Sequence, residues 1–335
     1  MKHWGKALFG ISVTVFLLWW VLRNEDPAEI WTNIVQGDFT LLFASVSVAT
    51  LGFLIRALRW KVLLALVSPN TRFSSRFAAV SIGFMGNNVL PLRAGEFMRP
   101  YALSRLEPIT VSSAFGSLVV ERFLDGFVLL LFLVLPVVLP GSPAADAFSG
   151  GRGALLLRGG LMTVALVLGA LVCMAVLPRQ FVQFVEWFAR FLPKRISVPL
   201  VETLVSFLDS LAIMRDPKLL GLALAWTIFF WAWHASSFWL GMLAFGIDTG
   251  FVSAVFVTAA VGWGVALPSA PGFFGTFHYA ASFALIAIYG VSADQSLAFA
   301  FGYHFGGWIP ITLIGFYYAW KMGLSLGEVR TAKAP

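Results

Sequence analysis

The sequence predicts an all-α polytopic membrane protein with about six full transmembrane helices and two opposed, broken or re-entrant hairpins. Three observations carry this prediction. First, the 335 residues are 59% hydrophobic and 12% charged, with mean hydropathy +0.86, whereas soluble domains carry about 25% charge. Second, six apolar runs approach the ~20 residues a bilayer helix needs. Third, two further apolar regions are broken in the middle by Pro and Gly. Non-helical backbone persists at membrane depth only when it is buried in protein or lines a wet cavity.

The first span is expected at 5–22. It looks at first like a signal sequence, but the stretch from Ala7 to Leu22 is long and bulky. Arg23-Asn24-Glu25-Asp26-Pro27 follows it without a small-residue cleavage pattern, so an uncleaved span is expected. Further spans are expected at 39–58, 110–139, 156–177, 219–245 and 296–320, with the hairpins at 73–107 and 251–292. Between 178 and 218, Phe181, Phe184, Val185, Phe188 and Phe191-Leu192 recur at helical spacing, with Arg179, Glu186 and Arg190 between them. That pattern suits an amphipathic helix on the membrane surface, or a linker with one greasy face.

Flanking charge orients the chain. Lys2 and Lys6, then Arg56, Arg59, Lys61, Arg72 and Arg76, then Arg179, Arg190, Lys194, Arg195, Arg215 and Lys218, then Lys321, Arg330 and Lys333 form a basic side. Glu25, Asp26, Glu29, Asp38, Asp146, Asp248 and Asp294 form the other, with Arg23, Arg152 and Arg158 as exceptions. Both termini are expected in the cytoplasm, with the protein in the cytoplasmic (inner) membrane. The hairpins then enter from opposite faces. Residues 39–139 and 219–320 read as an inverted repeat, with Leu90-Pro91 to Phe97 matched to Leu267-Pro268 to Phe274 at an offset of 177. Such repeats place their site at the interface near the midplane.

The net charge of +7 sits beside the spans, where orientation and anionic lipid account for it; no nucleic-acid partner is expected. The single cysteine, Cys173, excludes an internal disulfide and a Cys metal cluster. No P-loop, nucleophile elbow or zinc spacing occurs, so no cofactor or metal is implied and an enzyme is disfavoured.

Three constellations could carry function. Arg93, Glu96 and Arg99 share a face if the segment is helical. Arg suits a phosphate through its planar fork of donors, and broken-helix ends add backbone N–H groups. The alternative is a structural ion-pair clasp. Glu121, Arg122 and Asp125 interrupt a long apolar helix about halfway across; Arg93 or Arg99 is expected to pair with Glu121 or Asp125. Glu96, Glu121 and Asp125 would balance charge or couple transport, and Arg122 would be a second phosphate or ion-pair group. Finally, Asn87 and Asn88, with Ser269, Thr276, His278 and Tyr279, could satisfy freed backbone groups or bind a head group. Pro91, Gly95, Pro268, Pro271, Gly272, Gly275 and His278 form the hairpin gates. His234 and His304, in apolar spans, suit packing or a proton relay.

Gly86-Asn87-Asn88 through Gly95-Glu96 and Arg99, then Glu121-Arg122-x-x-Asp125, then Pro271-Gly272-x-x-Gly275 resemble the lysylphosphatidylglycerol synthase/flippase transmembrane family over nearly the whole chain. The chain departs from that pattern at Phe273, Phe274 and His278, where many relatives carry a Gly-rich run and a Glu. The resemblance implies a lipid flippase or scramblase moving a phospholipid, an aminoacyl phospholipid or an isoprenoid-phosphate-linked lipid between leaflets. The attached soluble transferase domain of larger relatives is expected to be absent. A membrane transferase on a lipid-linked substrate and a secondary transporter of a small anion are the alternatives. The expected partner is a membrane lipid; a homo-oligomer and a separate lipid-modifying enzyme stay open.

Overall fold

The computed structural model describes residues 2–23, 25–151, 216–267 and 269–324, with isolated positions between 154 and 190. The expected span at 156–177, the linker at 178–218, Cys173 and Pro268 lie wholly or largely outside the described residues. Among those described, the structure is helical with no strand.

Local signals set the helix starts. α1 covers Lys2–Leu22. Asp26 accepts from the Ala28 amide and opens α2, Pro27–Gln36; Asp38 accepts from the Thr40 and Leu41 amides and opens α3, Phe39–Leu63. Such caps satisfy amides that the first turn leaves without partners. The first broken region consists of α4, Phe73–Val89, a 3₁₀ turn, Pro91–Arg93, and α5, Gly95–Leu106. Thr110 caps α6, Val111–Val138, and α7, Pro143–Phe148, follows. Asp216 caps α8, Pro217–Ala244. The second broken region is α9, Gly250–Gly264, a 3₁₀ turn, Pro271–Phe273, and α10, Thr276–Phe283, which runs into a π-helical turn, Ala284–Ile288. Ser292 caps α11, Ala293–Lys321.

Phe39–Leu63, Pro217–Ala244, Pro271–Ile288 and Ala293–Lys321 are long and apolar enough to cross a membrane. α3 packs along α8, and α4 is held between α5 and α11. Small residues permit that closeness. A Cβ on Gly95 would run into the Gly83 carbonyl oxygen and meet the Asn87 amide at 2.6 Å; one on Gly86 would meet the Gly95 Cα at 2.9 Å. On the other side of α4, Gly315 of α11 abuts Met85 and the Ser81 carbonyl. Lipid tails compete for apolar surface, so membrane helices associate through such backbone-to-backbone fits.

One expectation needs correction. α3 does not end at 58 but continues to Leu63, so Arg56 and Arg59 are not flanking charges. They point inward, 5% and 0% exposed, because carboxylates on α6 meet them there. Arg76 is likewise buried, donating to the Ala57 and Thr71 carbonyls.

Candidate functional site

The centre of the bundle is a charge cluster built from α3, α5, α6 and α8. Glu121, fully buried, takes both Arg99 arms, Nη1 to Oε1 at 2.8 Å and Nη2 to Oε2 at 2.9 Å. The same carboxylate takes Arg56 Nη1 at 2.8 Å and Arg59 Nη2 at 3.0 Å. One turn along α6, Asp125 takes Arg59 Nη1 at 2.5 Å and the Trp231 indole N–H at 2.9 Å. The guanidinium faces are covered by rings: Arg56 by Phe84 and Phe230, 4.9 and 4.3 Å from their centroids, and Arg99 by Trp60 at 4.0 Å. Such stacking suits a weakly hydrated cation.

Local sequence explains this convergence. Glu121 and Asp125 are four apart and share a face of α6; Arg56 and Arg59 are three apart and share a face of α3. Arg99 reaches them because α5 lies almost on α4: a Cβ on Gly83 would sit 2.7 Å from the Arg99 Cβ. At 1.5 Å rise per residue, Arg56 and Arg59 lie about 10 and about 6 Å inside the C-terminal end of α3, and Glu121 about 15 Å from the start of α6.

Three buried guanidinium groups thus share two buried carboxylates, leaving one surplus positive charge. The Nε–H groups of Arg56, Arg59 and Arg99 are buried without partners. Charges taken this far from water persist only when paired and hydrogen-bonded. The carboxylates are saturated, while the cations retain donors.

Arg122 leaves this cluster on another face of α6. It pairs with Glu96 at 3.1 Å and stands 3.6 Å from Asp125. Its side chain is 43% exposed and that of Glu96 is 27% exposed. Asn87 donates to Glu96 at 3.4 Å, and its side-chain oxygen is buried without a partner. Asn88 donates instead to Thr312 of α11 at 2.7 Å. Neither Asn side chain donates to a backbone carbonyl freed at the break.

The expected Arg93–Glu96–Arg99 face does not form. The 3₁₀ turn ends at Arg93 with φ 53, and α5 begins only at Gly95, so Arg93 is not on the helix that carries the other two. The expected pairing with α6 is made by Arg99. Arg93 lies over the Phe273 ring of the second turn, 5.3 Å from its centroid.

The second turn is pinned from α1. Thr14 donates to the Phe274 carbonyl and accepts from the Ala270 amide, both at 2.9 Å. Gly275, at φ 84, lets the Thr14 backbone approach; a Cβ there would meet it at 3.0 Å. Gly272, at φ 72, faces the Trp308 indole nitrogen in the same way, at 2.8 Å. His278 accepts weakly from the Gly275 amide at 3.4 Å. Its ring lies 5.0 Å from that of His304, which sequence separation had left unlinked. His234 stacks on Phe230, beside the charge cluster. Thr276 donates to the Phe273 carbonyl; Ser269 and Tyr279 join neither the cluster nor the Arg93 contact.

Sequence reasoning missed Arg56, Arg59, Trp60, Thr227 and Trp231. The signal was present for the two Arg: the apolar run resumes after them through Trp60, Val62, Leu63 and Leu64, which places them inside a span.

The family model of the lysylphosphatidylglycerol synthase TM region matches residues 7–315. The chain is 28% identical over 116 residues to the glycosyltransferase AglD of Haloferax volcanii, covering 35% of this chain and 19% of that protein. It is 35% identical over 85 residues to a UPF0104 membrane protein of Methanocaldococcus jannaschii, a quarter (25%) of each chain. A UPF0104 membrane protein of Methanothermobacter thermautotrophicus is 26% identical over 140 residues, 41% of each chain. The matched stretches thus span less than half of these relatives' lengths, and no solved structure matches. A match of that extent to one family model, on a helical bundle with membrane-length spans, identifies the chain as a multi-pass membrane protein of the lysylphosphatidylglycerol synthase transmembrane-region family, with a lipid-related role.

Proposed function

We propose that the protein is a flippase or scramblase that moves an anionic, phosphate-bearing lipid between leaflets. One observation carries this reading: Arg122, near the middle of the 28-residue helix α6, is 43% exposed and paired with a partly exposed Glu96. A charged pair facing hydrocarbon would be costly, so such residues face the bundle interior or a water-filled cavity. Arg122 and Arg93 would hold the head-group phosphate there, with Asn87 as a further contact. Arg99 would position α5 rather than touch lipid, since both of its arms are spent on Glu121. Acyl or prenyl chains would stay in lipid while the head group crosses.

The two broken regions support a gate at an inverted-repeat interface. Each has Pro at the start of a 3₁₀ turn and a Gly four residues later where a helix begins: Pro91 and Gly95, Pro271 and Gly275. The spacing between the two turns is 180, not the 177 expected from the Leu-Pro match. With Arg56, Arg59 and Arg76 removed from the expected basic side, Lys61, Arg72, Lys218 and Lys321 remain at or next to the ends of α3, α4, α8 and α11. This supports cytoplasmic termini in the inner membrane. A second reading, a membrane transferase, draws on the similarity to a protein named a glycosyltransferase; it requires a chemically altered lipid product.

The test is leaflet exposure of labelled phosphatidylglycerol in vesicles holding the purified protein, with product analysis. Movement lost in Arg122→Ala supports the proposal. An unmoved but modified lipid supports the transferase, and wild-type rates in Arg122→Ala and Arg93→Gln would remove the assigned site.

A further inference from the structure

Among the described residues, only Arg93 (φ 53) and Phe273 (φ 62) are non-glycine residues in the left-handed region. Such backbone is uncommon for any side chain and an outlier for a bulky one. It persists where surroundings over-determine it, often at sites that switch. These two residues are also equivalent in position: each ends a 3₁₀ turn begun by Pro, two residues before a Gly that opens a helix. They also touch one another, the Arg93 guanidinium lying 5.3 Å from the Phe273 centroid.

The surroundings make this contact a closure between the two broken regions. The turns pack on each other, α4 packs on the second turn, and α1 packs on the first turn and on α10. Thr14 holds the second turn on both sides of Phe273, through Ala270 and Phe274. Phe273 is therefore fixed. Arg93 makes no salt bridge among the described residues; Glu96 attracts it and Arg122 repels it without direct contact, and the ring is the direct partner its guanidinium has. Arg56, Arg59, Arg99 and Arg122 are paired directly with carboxylates, whereas the direct partner of Arg93 is a neutral ring that an anion can displace.

We infer that Arg93 and Phe273 form a latch that an anionic head group releases, the phosphate taking the guanidinium from the ring. This deepens the lipid-moving proposal and rests on its assignment of Arg93 to the phosphate. Ring attraction for a guanidinium is weaker than paired, charge-assisted hydrogen bonds to phosphate. A head group bearing phosphate therefore frees the turns, while a neutral hydroxylated one leaves the latch shut. Phe273 is a specificity-determining residue that never needs to touch the lipid.

The experiment measures binding of short-chain phosphatidylglycerol to the protein in detergent, and transit of labelled phosphatidylglycerol and galactosyl diacylglycerol across vesicles. Phe273→Leu removes the competing ring. It should tighten phosphatidylglycerol binding roughly threefold or more and raise galactosyl diacylglycerol transit relative to phosphatidylglycerol. Phe273→Tyr, which keeps a ring, should match wild type, and Arg93→Gln should weaken phosphatidylglycerol binding. Phe273→Met serves if the Leu variant is not monodisperse. Unchanged phosphatidylglycerol affinity in Phe273→Leu overturns the latch even where wild type moves the lipid. Tightened binding with no transit by wild type leaves the latch standing and removes the flippase reading. No phosphatidylglycerol binding by either protein removes both.

Discussion

Replacing Glu121 by Gln tests the central cluster most directly. Glu121 is fully buried and accepts from Arg56, Arg59 and Arg99 at 2.8 to 3.0 Å. Without its charge, three buried guanidinium groups face Asp125 alone, and the surplus rises from one positive charge to two. Removing one partner of a buried ion pair costs about 3–5 kcal/mol, a large share of the ~5–15 kcal/mol that holds a domain folded. Replacing Arg99 by Gln acts in the opposite sense. It leaves two guanidinium groups on two carboxylates, so its cost is mainly lost hydrogen bonds, about 1–3 kcal/mol. The two changes break the same bidentate contact yet should differ by about 2 kcal/mol, the carboxylate loss being the worse. The assay is SDS-induced unfolding of purified protein in mixed micelles, followed by near-UV circular dichroism. Equal costs for the two variants, or a Glu121→Gln cost under about 1 kcal/mol, would refute the charge accounting.

Other expectations follow from the same geometry. Arg122→Ala should change stability by about 1 kcal/mol or less, as for a partly exposed pair, while strongly slowing lipid transit; the unfolding assay and the vesicle assay separate these effects. Gly95→Ala drives a methyl group into the Gly83 carbonyl and the Asn87 amide. The α4–α5 contact should open at a cost of about 3 kcal/mol or more, seen as loss of monodispersity on size exclusion. Thr14→Val leaves the Ala270 amide and Phe274 carbonyl without their partner, a loss of about 1–3 kcal/mol that hydrogen exchange should localise to residues 270–275. Just past α5, burial would raise the Glu107 carboxyl, but hydrogen bonds from Ser75 and Arg72 outweigh it and hold the group below its usual range. A depressed carboxylate stabilises above its unfolded value and loses that contribution as pH falls through the folded one. Melting temperature should therefore drop below about pH 4 more steeply in wild type than in Glu107→Gln.

The helices were legible in the sequence because hydropathy and helix breakers act locally. Long apolar runs and their Pro and Gly breaks place α3, α4, α6, α8 and α11 within a few residues. The charges on α6 were legible as interior because lipid does not tolerate them, and their pairing with α5 followed. What was not legible is tertiary. The apolar run that resumes after Arg56 and Arg59 marks them as lying inside a span, but only the carboxylates on α6, 65 positions on, show what they pair with. Likewise the Arg93–Glu96–Arg99 face assumed a continuous helix. The left-handed backbone at Arg93 breaks that periodicity, and single-residue dihedrals leave no trace in composition.

The separation of the cluster along the chain bears on how the protein is made. Arg56 and Arg59 emerge from the ribosome well before Glu121 and Asp125 exist, 65 and 66 positions upstream of them. During that interval α3 carries two unneutralised cations near its C-terminal end, each costing up to about 2.5–3.5 kcal/mol, the value for the centre of a membrane helix, although an 18-residue window of the helix has a mean hydropathy of 2.0. Membrane insertion and charge neutralisation are therefore separate events for this helix. The arrival of α6, rather than the greasiness of α3, becomes the moment at which its orientation is locked.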